Sequence, residues 1–133
     1  MNSNKSMGNR FESDFCEWLS HFGFWATNLT QSAFGQPFDI LAAKHGKPYA
    51  IDCKVCSHEG FALSRMEENQ DLSMTLWEQC GNGPGWFAVR CKELVYMFKH
   101  ETILELQKTR SVLPFEEFPH YGITAGEWVM GCE

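Results

Sequence analysis

No stretch of this 133-residue chain approaches the ~20 consecutive apolar residues that a membrane span requires. Its opening, MNSNKSMGNRFESDF, is polar and then amphipathic, unlike the charged and then apolar pattern of a secretory leader. A cytoplasmic protein is therefore expected, and the six cysteines are expected to be reduced thiols. Internal repeats and low-complexity segments are missing, which sets aside solenoids and disordered tails. The five histidines are scattered and form neither H-x-H nor HExxH, so no zinc pattern is present. GNGPG (81–85) lacks a following Lys-Ser/Thr and is a chain break rather than a phosphate loop. Basic excess is also absent. The net charge is −6, which weighs mildly against a nucleic-acid partner. That charge is uneven, however. All 11 Lys and Arg and 13 of the 17 acids lie in residues 1–113, while 114–133 has four acids and no base.

What is present is the composition of one globular domain spanning 1–133. It is 44% hydrophobic and 14% aromatic, enough to build a real core. Residues 1–8 are expected to be a flexible start. Phe11, Phe15, Trp18, Leu19 and Phe22 recur at helical spacing, which predicts a helix over about Asn9–His21 stopped by Gly23. Strands are predicted over 24–30, 38–44 and 48–55, and SHEGFALS (57–64) is expected as a loop. A second helix follows over about Arg65–Glu78, then strands in WFAVR and ELVYMF and a helix in HETILELQKTR. Thr124-Ala-Gly-Glu127 has the form of a capping box and predicts a short helix within the acidic 114–133 segment. The order implies an α/β fold with a central mixed sheet of about five strands flanked by helices.

The chemistry concentrates in one hairpin. If His45-Gly46 is a two-residue loop, Lys44 pairs with Lys47 and Asp39 faces Asp52. If Lys47-Pro48 also belong to the loop, Asp39 faces Lys54. Both registers leave Asp39, Asp52 and Lys54 on one sheet face, whereas a three-residue loop would put Asp39 with Cys53. Two carboxylates about 5–8 Å apart across a hairpin repel each other. A divalent cation between them reverses that sign, and Mg²⁺ favours such a site because it takes one or two carboxylates plus water and phosphate oxygens. Lys54, beside Asp52, is placed to position or deprotonate an attacking water and to stabilise phosphorane charge. The plainer alternative is a surface hairpin with a local ion pair. Against it, Ala50, Ile51 and Val55 form an apolar strand in which an incidental Asp-x-Lys is out of place.

FDILAAKHGKPYAIDCKV resembles the core motif of PD-(D/E)XK nucleases, in particular Holliday junction resolvases of the archaeal Hjc and bacterial RecU types. The likeness extends back to GNRFESDF, forward through FALSRMEENQ, and on through GWFAVR…LVYMF…ILEL, about Gly8–Leu106 in all. It implies a restriction-endonuclease-like core, with Glu12, Asp39, Asp52 and the Cys53 carbonyl as metal ligands and Lys54 as the catalytic lysine. It implies Arg65 and Gln70 facing the DNA backbone. Dispersed bases such as Lys92 and Lys99 are expected to add affinity. The implied activity is Mg²⁺-dependent cleavage of branched or four-way DNA in recombination and repair, with Mn²⁺ substituting, by a homodimer. Its setting would be the cytoplasm and nucleoid, of host or phage origin. Pro37 lies one place further from Asp39 than the motif's name suggests, and the RecU stalk insertion has no counterpart. Alternatives are a phage or restriction-type nuclease with a non-junction substrate, and a non-catalytic DNA-binding protein of the same fold.

Other signals are weaker. Cys53-Lys-Val-Cys56 on a strand would point its thiols to opposite faces. A four-cysteine set with Cys80 and Cys91, like the iron–sulfur sites that some nucleases of this superfamily carry, has irregular spacing. The histidines are read as structural, His58 alone lying near enough to the catalytic strand to touch DNA. Phe34 and Phe61, on loops bordering the site, are the better base-stacking candidates. Trp25, Trp77, Trp86 and Trp128 are read as core or subunit-interface residues.

Overall fold

In a computed structural model, which describes residues 3–29, 37–56 and 60–132, the amphipathic opening becomes helix α1 (Ser3–His21). The helix starts before Asn9 and covers much of the segment expected to be flexible. Phe11, Phe15 and Leu19 are buried along its inner stripe, while Phe22 falls outside the stripe and is exposed. Gly23, with φ of +87°, ends the helix in the left-handed conformation that a side chain resists. The Phe24 N–H then reaches back to the Leu19 carbonyl and Gly23 N–H to Ser20, closing the orphaned last turn.

Strands β1 (Trp25–Asn28), β2 (Ile40–Lys44) and β3 (Lys47–Val55) follow. The β2–β3 turn is the two-residue loop, with Lys44 opposite Lys47 and both His45 and Gly46 at positive φ. The segment expected as a loop instead forms β4 (Gly60–Ala62) and a 3-10 turn (Leu63–Arg65). Helix α2 (Glu68–Gln79) then crosses over to β5 (Trp86–Cys91), which turns into β6 (Leu94–Lys99) and α3 (His100–Gln107). The chain ends with β7 (Val112–Pro114), α4 (Phe118–Tyr121), β8 (Ile123–Thr124) and α5 (Ala125–Gly131). Both halves of the expected capping box form at Thr124 and Glu127.

The sheet has six strands in the order β1-β2-β3-β5-β6-β8, and β4 and β7 form a separate pair. Within it β3 and β5 run parallel and the other neighbours antiparallel, which makes the sheet mixed. Each face has its own core, and strand alternation assigns residues to them. On one face Ala50, Phe87, Val89 and Phe98 pack with Met74, Ile103, Leu113 and Phe118 under α2 and α3. On the other, Ile40, Ile51, Ala88 and Met97 pack with Phe15, Leu19 and Trp128 under α1 and α5. Fully burying one such side chain contributes roughly 1.5–3 kcal/mol, so both layers hold the central strand firmly. That strand is β3, with a neighbour on each side. Among the described residues no helix is long and apolar enough to cross a membrane.

Candidate active site

Asp39 lies immediately before β2, and Asp52 and Lys54 lie in β3. Asp52 and Lys54 alternate with Ile51, Cys53 and Val55, so they project to the α2/α3 face with Ala50. Leu41, two residues beyond Asp39, packs on that same face. Asp39 stands outside the ladder, and Phe38 packs on this face as well as Leu41, so alternation fixes the face of Asp52 and Lys54 but not that of Asp39. Antiparallel pairing stops at Ile40 opposite Ile51, and beyond that point the Cys53 N–H donates to Asp39 Oδ2 at 2.7 Å. This bond draws the Asp39 carboxylate across to β3, beside Asp52. In an extended strand a residue's N–H and C=O project to the same edge. The Cys53 carbonyl is thus directed towards β2, past the end of the ladder.

Asp52 is almost wholly buried, at 1% exposure, and neither carboxylate oxygen makes a well-formed hydrogen bond among the described residues. Lys54 Nζ approaches Oδ2 to 3.2 Å, an ion pair that partly compensates the buried charge. Burial pushes the Asp52 carboxyl well above the usual carboxylate range; the neighbouring Asp39 adds to this and the Lys54 ammonium opposes it. A buried carboxylate whose charge is only partly compensated is costly.

Glu12 belongs to α1, packed on the opposite face, yet it lies within electrostatic reach of Asp39 and Lys54. Burial and then the Asp39 charge push it up to about 7, and Lys54 pulls it back. Among the described residues no three His, Cys, Asp or Glu side chains close around one point as a metal cage. Two carboxylates with a nearby carbonyl do not need such a cage, because a hard cation completes its shell with water or phosphate oxygen. The orphaned Asp52 oxygens and the all-oxygen donor set fit such an ion.

The residues expected to face DNA are dispersed. Arg65 donates to the Val55 carbonyl, which fixes a guanidinium beside the end of β3. The Gln70 side chain instead accepts from the Glu67 N–H and caps α2. Lys92 lies in the β5–β6 turn with its ammonium over the Phe115 ring at 5.2 Å. Lys99 pairs with Trp86 at the other end of that hairpin, so the two lysines do not form one patch. Phe61 is a correction: it is fully buried in β4 opposite Leu113 and is a core residue, not a stacking platform. Phe34 and His58 lie outside the described residues. Cys53 and Cys56 do face opposite sides of the sheet. Of the tryptophans, Trp128 is buried and Trp25 is 62% exposed on edge strand β1. His100 is buried between carboxylates, Nε2 at 2.6 Å from Asp71 and Nδ1 at 3.2 Å from Glu78. No spacing rule announced this cluster, because its members come together only through packing of α2 on α3.

The fold is that of an archaeal Holliday junction resolvase. The solved structure of Hjc from Archaeoglobus fulgidus superposes with a TM-score of 0.70, covering 92% of this chain and 99% of that one. Sequence identity is 20%, so the likeness shows the fold. No family model and no curated protein matches the chain.

Proposed function

We propose that this chain is a Mg²⁺-dependent endonuclease that hydrolyses phosphodiester bonds in branched DNA. The observation that carries the reading is Asp52, buried with two orphaned oxygens beside Asp39 and 3.2 Å from the Lys54 ammonium. A surface hairpin with incidental charges would have left that carboxylate in water. Asp39 and Asp52 would hold the cation, with the Cys53 carbonyl and Glu12 at its edge. Bound there, Mg²⁺ would polarise the phosphate and acidify a water. Lys54 has two parts. Its ammonium offsets the charge of the empty carboxylate pair, and in the reaction it orients the attacking water and stabilises charge developing on the phosphorus oxygens. Arg65, anchored at the end of the same strand, steadies the flanking phosphate.

The fold shared with a protein whose structure is titled a Holliday junction resolvase makes four-way DNA the first substrate to offer. Symmetric nicking of such a junction needs two sites, so the working unit is taken to be a homodimer acting in recombination and repair, in the cytoplasm and nucleoid. The deciding experiment compares a four-way junction, a linear duplex and single strands with Mg²⁺, with Mn²⁺ and with chelator. Junction cleavage with either metal, and none with chelator, supports the proposal. Preferential cutting of duplex or single strands would shift the substrate to that of a phage or restriction-type nuclease. Binding without cleavage would leave a non-catalytic DNA-binding protein.

A further inference from the structure

The four-cysteine set disfavoured by its spacing does not assemble, but two of its members do. Strands β3 and β5 are parallel and in register through Val55 and Arg90. One residue on, the Cys56 N–H donates to the Arg90 carbonyl at 2.8 Å. That is the bond a parallel ladder makes when Cys56 sits opposite Cys91. Both side chains face the α2/α3 core, where Cys91 is buried and Cys56 is partly exposed. The two thiols are close enough that Cys91 helps push the Cys56 thiol up. Neighbouring strands lie about 4.8 Å apart, inside the Cα separation of about 4.4–6.8 Å that a disulfide spans. Cys16, Cys53, Cys80 and Cys132 do not share this arrangement.

We propose that Cys56 and Cys91 form a reversible thiol–disulfide site that, once oxidised, ties the ends of β3 and β5 together two residues beyond Lys54. The oxidant class is a small disulfide such as oxidised glutathione. The partly exposed Cys56 sulfur gives up its proton and attacks one glutathione sulfur, releasing the other half as a thiol. Cys91, too buried to meet the oxidant, then attacks the Cys56 sulfur of the mixed disulfide and releases the second glutathione. Two protein S–H bonds are lost, one S–S bond forms, and one glutathione disulfide becomes two thiols. Burial and the neighbouring thiol push Cys56 up to about 12, so the pair rests as thiols and exchanges slowly at neutral pH.

The test uses the full chain incubated with excess oxidised glutathione and, separately, with dithiothreitol. The oxidised sample should be lighter by two hydrogen atoms, and peptide mapping should link Cys56 to Cys91. Its melting temperature should rise, as expected for a bond that closes a loop of the unfolded chain. Cys91→Ala should instead stop at a glutathione adduct on Cys56, and Cys56→Ser should form no bond to Cys91. Should Cys91→Ala fail to fold, the map and the Cys56→Ser variant still decide. Free thiols at both positions, or a link through a different cysteine, would overturn the proposal. Mass and mapping read the bond without reference to DNA cleavage, so this inference and the proposed function fail independently.

Discussion

In metal-free protein, raising the pH should cost stability, and Glu12→Gln should remove much of that cost. Glu12 carries a folded pKa of about 7 against an ordinary value of 4.5. For a carboxyl shifted upwards the folded state binds the extra proton. Its contribution is therefore complete below pH 4.5 and is lost as the pH rises through about 7. Taken whole, the shift corresponds to roughly 3 kcal/mol at 1.36 kcal/mol for each unit. Glu12 is only partly buried, and water screens a good part of the interaction, so about 1–2 kcal/mol is the expected loss. Urea unfolding in chelator across this window should show the wild type falling by that amount relative to Glu12→Gln. Asp52 shifts in the same direction and remains in the variant, so the variant's curve should flatten without becoming level. Excess Mg²⁺ should stabilise the wild type most at the alkaline end, where the carboxylates are charged. Parallel curves for the two proteins in chelator would refute the upward shift of Glu12 that burial, and then the Asp39 charge, produces.

Asp52→Asn should leave metal-free stability within about 1 kcal/mol of wild type, because loss of the Lys54 contact is offset by relief of a buried like-charge pair. Mg²⁺ should raise the melting temperature of the wild type clearly more than that of this variant, and equal shifts would remove the carboxylates from the metal site. Lys92 and Glu93 form the β5–β6 turn at φ of +52° and +67° without glycine. Glu93→Gly should therefore stabilise by about 0.5–1 kcal/mol in urea unfolding, the left-handed penalty less the entropy that glycine adds to the unfolded chain.

The β2–β3 hairpin was the most legible part of the sequence, because His45-Gly46 selects the turn, the register runs as far as Ile40 opposite Ile51, and strand alternation puts Asp52 and Lys54 on one face. The stripe on α1 and the capping box of α5 were legible for the same reason: each is a local rule satisfied by adjacent residues. Strands β4 and β7 were not. They are three residues each and pair residues as far apart in sequence as Gly60 and Pro114, so neither contains enough alternation to announce itself. Phe61 looked like an exposed loop aromatic because its partner Leu113 lies far away in sequence. Lys92 and Lys99 are dispersed, as expected, because hairpin geometry sends them to opposite ends. The near-complete burial of Asp52 was likewise not legible, since it depends on tertiary packing rather than on its neighbours in sequence.

The measurement that tests the central claim most directly is cleavage and affinity of Lys54→Ala on a four-way junction with Mg²⁺. Lys54 is held next to Asp52 rather than on an open DNA-facing surface, so its interaction belongs chiefly to the transition state. The expected result is a cleavage rate lower by on the order of 10²-fold or more, with junction affinity within a few fold of wild type because one phosphate contact among several contributes little. Cleavage and affinity falling by the same factor would make Lys54 a docking residue and contradict the assignment. Undiminished cleavage would contradict it outright.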